Sequence, residues 1–439
     1  MKGINMTHVW NSWMERRGFM RTLGVLGGSV VAAQVSNLGG TSVLSSATST
    51  GSSTAPAISA KIGLLVPRSG MFPGLKDKLF TGMKLGVEAF QARGGDARIQ
   101  WVVQETSVAP GDMVLAAQRM VEKERVDLVL SFASNSAVQR LIPVFEESGT
   151  LLLALGAGEN LVRPAERSPH VFYNTLGYWQ GCYATGQRLV REHGRRVFIL
   201  ASTYETGHDA LAAFRLGMTR AGGEEAGLAI VDAHTPVASL VKILGQLEEI
   251  APDAVFLMQS GPDADSILSR GGLFGLLDQA PTAGSPFLVE GTFSGEAAKH
   301  AKGIQTCSSW AHGLENEENQ GFVKSYRERT GTGSDAISLL GYDTANLLIA
   351  ALGVAESRRS ELRQALETAA WSSPRGELSM NATTHTVNLP LYFRTTRAGD
   401  RGLRTDSLGS VTSLNESSPE VQSLLKGPRV GWTNAYLSV

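Results

Sequence analysis

Ile62-Gly63-Leu64-Leu65-Val66, followed after a loop by Leu79, Met83, Gly86, Val87 and Phe90, decides the architecture. The first five residues form a short apolar run closed by Pro67 and Gly70, the pattern of a buried strand. The later five recur at spacings of three and four, so they share one face of a helix that packs back onto the sheet. A buried strand feeding an amphipathic helix is the opening of a parallel sheet covered by helices.

The alternation continues outward. Ile99-Gln100-Trp101-Val102-Val103, Val126-Asp127-Leu128-Val129-Leu130 and Leu151-Leu152-Leu153-Ala154-Leu155 complete a first strand series. Val197-Phe198-Ile199-Leu200, Leu228-Ala229-Ile230-Val231, Ala254-Val255-Phe256-Leu257-Met258 and Phe287-Leu288-Val289 form a second. Helical segments separate them, such as 208–222, ending on Gly222-Gly223, and 239–250, stopped before Pro252. Residues 317–330 and 335–356 are helical too, the latter apolar almost all round and therefore buried. A last strand pair is expected around 376–380 and 391–393, and residues 398–439 carry too weak a period to assign.

Residues 1–60 stand apart, because after Arg21 the next charge is Lys61 and the interval is mostly Ala, Gly, Ser, Thr and Val. Glu15-Arg16-Arg17-Gly18-Phe19-Met20-Arg21 and the apolar run after it resemble a twin-arginine export signal, with Glu15 in place of the usual Ser or Thr. Broken by Gly24, Gly27 and Gly28, that run falls short of the ~20 apolar residues a spanning helix needs. Cleavage is expected, either near Val31-Ala32-Ala33 or near Ala55-Pro56-Ala57, with residues 1–57 read as signal and flexible linker and the protein as periplasmic.

Without residues 1–60 the basic count falls from 40 to 36 and the acidic count from 41 to 40, a net charge of about −4. No clustered basic surface for nucleic acid is implied. About 380 residues remain, more than one core usually holds, so two α/β lobes are expected.

The order of the motifs resembles the type I periplasmic substrate-binding proteins of ABC importers, the class with leucine/isoleucine/valine-binding and amide- or urea-binding members. Ile62 to Gly70 is similar to the first strand and "P-x-S-G" loop of that class, and Val126 to Val138 to its strand opening into a small polar loop. Leu153 to Leu161 resembles its next strand and "S-P-G-A-T" turn, and Leu340-Gly341-Tyr342-Asp343-Thr344-Ala345 its "A-Y-D-A" helix. Pro374-Arg375-Gly376-Glu377, Thr384-His385 and Pro390-Leu391-Tyr392 resemble its closing segment. The likeness spans residues 60–396 and rests on the order of these pieces.

That resemblance implies the type I periplasmic binding protein fold: α/β, two Rossmann-like lobes with parallel sheets, joined by a three-strand hinge near 172–176, 309–312 and 373–377. Lobe one would take residues 58–172 and 311–375, lobe two 173–310 and 376–397, with 398–439 as a C-terminal extension.

Ligands bind parallel sheets outside the C-terminal strand ends. Four loops are so placed: Ser69-Gly70, Ser134-Asn135-Ser136, Gly156-Ala157-Gly158 and Glu290-Gly291-Thr292. Ser134 and Ser136 suit a ligand role or a helix N-cap, and Gly156 and Gly158 a tight turn or a carboxylate-binding backbone. The related proteins often have Thr where Gly158 stands. Tyr204 is a lining candidate, while Tyr178 and Trp179 either wall the cleft or pack the hinge. By resemblance Glu290 receives a ligand ammonium.

Cys182 and Cys307 flank two crossings and either pair as a disulfide or remain buried thiols. The eight histidines form no H-E-x-x-H, and neither G-x-S-x-G nor a Walker loop occurs. The reading is an exported, monomeric, non-enzymatic protein without cofactor or metal. It captures a small polar ligand, an amino acid or amide-like compound, and delivers it to an inner-membrane ABC permease. The alternatives are a sensor or receptor module on the same fold, or an enzyme.

Overall fold

The structure is a computed structural model that describes residues 57–426 apart from 71, 292, 357, 400, 401, 413 and 415–417. The expected export signal lies outside the described residues, as does Thr292. Five parallel strands form the first sheet: β1 (Ile58–Pro67), β2 (Ala97–Thr106), β3 (Leu128–Phe132), β4 (Leu151–Gly156) and β5 (Val171–Thr175), in the order β2-β1-β3-β4-β5. β1 starts before Lys61 because Ile58 and Ala60 are already buried on its inner face.

The second sheet begins with β6 (Arg196–Ala201), β7 (Glu224–Ile230), β8 (Ala254–Met258), β9 (Thr282–Gly284) and β10 (Gln305–Ser308). A small antiparallel sheet follows, with β11 (Ala370–Ser373), β12 (Gly376–Met380) and β13 (Val387–Asn388). The chain then returns as β14 (Leu391–Gly399) and β15 (Gly402–Val411), giving a second sheet ordered β15-β14-β10-β9-β8-β6-β7. β14 and β15 run antiparallel at its far edge, so this sheet is mixed.

Three expectations need correction. Phe287-Leu288-Val289 is a turn, and the strand lies one step earlier at β9. Pro286 has no N–H to donate to a ladder, and the chain instead closes on itself through Leu288 N–H to the Ser285 carbonyl at 3.1 Å. Residues 376–380 and 391–393 do not pair with each other. β12 and β13 stay with the first lobe, where Tyr173 donates its N–H to the His385 carbonyl at 2.7 Å, and the chain reaches the second lobe only with β14. Of residues 398–439, the stretch Gly402–Val411 is an edge strand, and Pro419–Lys426 is a helix with Val421 buried.

Each lobe holds a pair of helices in backbone contact. A side chain at Gly82 or Gly341 would collide with the facing backbone of the Leu75–Ala92 and Ala336–Val354 helices. Gly186 and Gly217 do the same for the Tyr178–His193 and Asp209–Arg220 helices. Ala336–Val354 is long and apolar enough to cross a membrane, but it is a core helix, 72% buried.

The third crossing falls between β13 and β14 and not at 373–377 as expected, and one buried arginine on the first-lobe side ties the first two crossings together. Arg375 donates to the Thr175 carbonyl at 2.7 Å, to Asn174 Oδ1 at 3.0 Å, to Ser309 Oγ at 3.3 Å and to the Asp343 carboxylate. Ser309 Oγ in turn donates to the Leu176 carbonyl at 2.8 Å, and Trp371 Nε1 to Asp343 at 2.9 Å. A fully buried ion pair needs further hydrogen bonds to offset its desolvation, and both terminal nitrogens of Arg375 make them, while its Nε has no partner among the described residues.

Candidate ligand-binding site between the lobes

The second sheet brings β9, β8 and β6 side by side, so the residues after them converge at one edge. Ser285 follows β9, Gln259 and Ser260 follow β8, and Ser202 follows β6. Ser202 caps the one-turn helix Thr203–Thr206, accepting the Glu205 N–H at 3.3 Å, and this turn carries Glu205 inward until only 1% of it is exposed. Tyr178, the first residue of its helix, arrives from beside the hinge and is equally buried.

Hydrogen bonding at this edge is incomplete. The Ser260 and Tyr178 hydroxyls stand next to the Glu205 carboxylate and favour its charged form. Even so, Glu205 Oε2, Tyr178 Oη, Ser260 Oγ and both amide atoms of Gln259 lack a hydrogen bond of normal geometry among the described residues. Each such buried group costs about 1–3 kcal/mol relative to a satisfied one. Burial lifts the Glu205 carboxyl to about 7, with Glu159 and Asp263 adding to the rise.

From this polar end an aromatic path leads outward. Tyr178 packs on Phe287 with ring centroids 5.5 Å apart, Phe287 meets Phe72 edge-on at 5.8 Å, and Phe72 meets Phe132 at 5.6 Å. Phe72 and Phe287 open onto a cavity of about 200 Å³ walled by both lobes: Leu75, Lys78 and Asp335 to Ile337 from the first, Gly261, Pro262, Asp265 and Glu290 from the second. A second cavity, of about 230 Å³, lies beyond the 156–160 loop and is walled mostly by the first lobe and residues 381–389.

Direct contacts stitch the lobes together beside the polar end. Asn160 Oδ1 accepts the Asp209 N–H at 2.9 Å, which turns its amide nitrogen toward His208 Nδ1 at 3.2 Å. The proton of His208 therefore sits on Nε2, and burial holds the imidazole neutral by pushing its pKa down to about 4. Leu161 N–H and Arg163 both reach Asp209 Oδ2, at 3.1 and 3.3 Å.

The expected site residues are distributed unevenly over this geometry. Glu290 lines the interlobe cavity, but its Oε1 accepts from Arg394 at 2.6 Å and its Oε2 from the Ala336 N–H at 3.1 Å, so an internal cation already meets it. Ser134 caps the Asn135–Ser148 helix through the Ala137 N–H at 3.3 Å and lies 3.1 Å from Ser136 Oγ. Ser69 Oγ accepts the Phe72 N–H at 3.2 Å, which positions that ring. Asn135, Gly156 and Gly158 line the second cavity, and Ala157 and Gly158 offer their carbonyls to the first N–H groups of the Tyr178 helix at 3.0 and 2.9 Å.

Burial raises the Glu159 carboxyl to about 6, against the opposing pull of the nearby Gly158 and Glu159 backbone N–H groups. The loop expected to receive a ligand carboxylate thus has a carboxylate of its own beside it. Tyr204 is half-buried, edge-on against His208 at 4.8 Å, on the same short helix as Glu205. Cys182 and Cys307 are buried free thiols and not a disulfide. Burial pushes the Cys307 thiol up to about 12, far from the thiolate that disulfide exchange requires.

Sequence reasoning missed Glu205, Gln259, Ser260, Arg375 and Arg394. The signal for Glu205 was its place four residues beyond the end of β6, beside the chosen Tyr204.

A model of the periplasmic binding protein family matches residues 59–401. The Leu/Ile/Val-binding protein homolog 6 of Brucella abortus is 24% identical over 360 residues, 78% of this chain and 88% of that one. A solute-binding protein of an ABC transporter from Rhodopseudomonas palustris BisB5, solved with 3,4-dihydroxybenzoic acid, superposes with a TM-score of 0.70 at 20% identity, covering 82% of this chain and 99% of its own. A second one from R. palustris, solved with benzoate, gives 0.68 at 24% identity, covering 81% and 96%.

Proposed function

The chain belongs to the periplasmic binding protein family, and from that premise we propose that it captures a small polar ligand, an amino acid or an amide-like compound, between its lobes. It then presents that ligand to an inner-membrane ABC permease, acting as a monomer and without chemical turnover. Export by the twin-arginine route is part of the same proposal, on the strength of Arg16-Arg17 and Phe19.

The observation that carries the reading is the interlobe chamber itself. It is walled by both lobes with Phe72 and Phe287 in its lining, and Phe287 packs on Tyr178, which belongs to a group of buried polar residues whose hydrogen bonds are unmade. Such an arrangement gives up stability in the unliganded protein and recovers it when a partner with complementary donors and acceptors enters. Glu205, Tyr178, Ser260 and Gln259 are the proposed principal contacts. Ser69, Ser134, Asn135, Ser136, Gly156, Ala157, Gly158 and Tyr204 frame the lobe faces around them, and Glu290 contributes wall.

A thermal-shift screen of the protein against amino acids, short amides, urea and small aromatic and aliphatic acids tests the proposal. A ligand at 100 times its Kd should add about 2.7 kcal/mol of stability. If no compound in the panel raises the melting temperature, solute capture is refuted for these classes.

A further inference from the structure

We infer that the ligand presents a cationic head, an amine or amidine on an apolar or aromatic body, and that Glu205 is the group that receives it. The inference rests on the solute-capture reading and names the ligand class for that same site.

The charge inventory around Glu205 is one-sided. The ionisable groups facing it are Glu159 from the loop after β4, Asp263 from the segment after β8, Tyr178 and Cys182 from the helix beside the hinge, and neighbouring Tyr204. None is a cation. Three basic side chains at or beside the interlobe cavity are already engaged: Arg394 with Glu290, Lys78 with Asp335 and Arg163 with Asp209. No ion pair among the described residues includes Glu205.

A lone carboxylate in a dry site shares its surroundings poorly with an anion and well with a cation. Acceptors for such a head are present, beside the unpaired donor Gln259 Nε2, which is left for an acceptor on the ligand body. Glu205 Oε2 and Gln259 Oε1 are buried acceptors lacking a partner, and an ammonium carries three N–H donors able to meet them. The Phe287, Phe72 and Phe132 rings supply the apolar wall on which the body of such a ligand would lie. Aromatic-acid binding, as seen in the two R. palustris proteins, would place a ligand carboxylate against Glu205 and Glu159.

Protonation adds a readout that a merely structural Glu205 would not give. Burial holds its carboxyl near 7, so at pH 6.5 a substantial fraction is protonated, and a cation entering the site must expel that proton. Affinity for an amine should therefore rise between pH 6 and pH 8, with proton release on binding that fades at the upper end.

The test is calorimetric titration of the protein with benzylamine, benzyl alcohol and benzoate, three probes on one aromatic body, at pH 6, 7 and 8 in buffers of different ionisation enthalpy. Benzylamine should bind at least tenfold more tightly than benzoate and gain affinity with pH, with a buffer-dependent enthalpy at pH 6. Glu205→Gln, which keeps size and shape, should lose at least tenfold for benzylamine and show no proton release. Tighter binding of benzoate than of benzylamine would overturn the inference while leaving solute capture standing. Failure of all three to bind would overturn this ligand class, and the broader thermal-shift panel would then decide the fate of solute capture separately.

Discussion

Glu290→Gln distinguishes a carboxylate that serves the ligand from one that serves the fold. Both partners of Glu290 are donors, the Arg394 guanidinium on Oε1 at 2.6 Å and the Ala336 N–H on Oε2 at 3.1 Å. A glutamine has one oxygen and one NH₂ group, so either orientation of its amide sets donor against donor and leaves a buried group unpaired. Arg394 is fully buried and would also lose its counter-charge, although Thr306 Oγ1 and the Trp310 and Pro286 carbonyls still accept from it. Breaking a buried pair costs ~3–5 kcal/mol, and the surviving acceptors place the expected loss near the lower end, about 3 kcal/mol. At ~2–4 °C per kcal/mol for domains of moderate size, the melting temperature should fall by roughly 6–12 °C. Thermal melts followed by circular dichroism, paired with titration of whatever ligand the screen yields, measure both quantities. A variant that melts with the wild type and binds tenfold more weakly would refute this reasoning and put Glu290 on the ligand, where resemblance alone had placed it.

Two further outcomes follow from the same packing. Arg375→Met strands the Asp343 carboxylate among buried groups and should cost ~3–5 kcal/mol in urea unfolding, most of it recovered in Arg375→Met/Asp343→Leu, where both charges are gone. Thiol titration of denatured, unreduced protein should count two free thiols per chain, and none would show that Cys182 and Cys307 pair after all.

The lobes were legible because their signal is local. A buried strand such as Leu151–Gly156 declares itself by composition, and the Glu317–Thr330 helix by its period and its Gly331 stop. β15 was not legible, since an edge strand reading Gly-Leu-Arg-Thr-Asp-Ser-Leu-Gly-Ser-Val buries little and alternates weakly. Phe287 to Val289 misled for the opposite reason: apolar residues cover the core from a turn as well as from a strand. At the site, strand ends were located by pattern, but the pairing of Glu290 with Arg394 joins residues 104 positions apart, and no local feature announces it. Glu205 was hidden by the same limit, because what marks it is the lack of any cation around it in three dimensions.

That contrast bears on how closure is rewarded. A ligand can shift the balance of open and closed states only through contacts that are better in the closed one. Glu290 joins the lobes directly, as a second-lobe carboxylate on the N-terminus of the first-lobe Ala336–Val354 helix, and Asn160 with His208 and Leu161 with Asp209 do so beside it. Groups already satisfied in this way would exchange one partner for another on meeting a ligand, with little net gain. Tyr178, Glu205, Gln259 and Ser260 are different, since they are buried with hydrogen bonds still unmade. Only at such groups does a bound molecule add free energy that the protein cannot supply to itself. The polar end beneath Phe287 is therefore where the selectivity of this chain should reside, and Glu290, for all its prominence at the mouth of the chamber, sets how firmly the lobes meet.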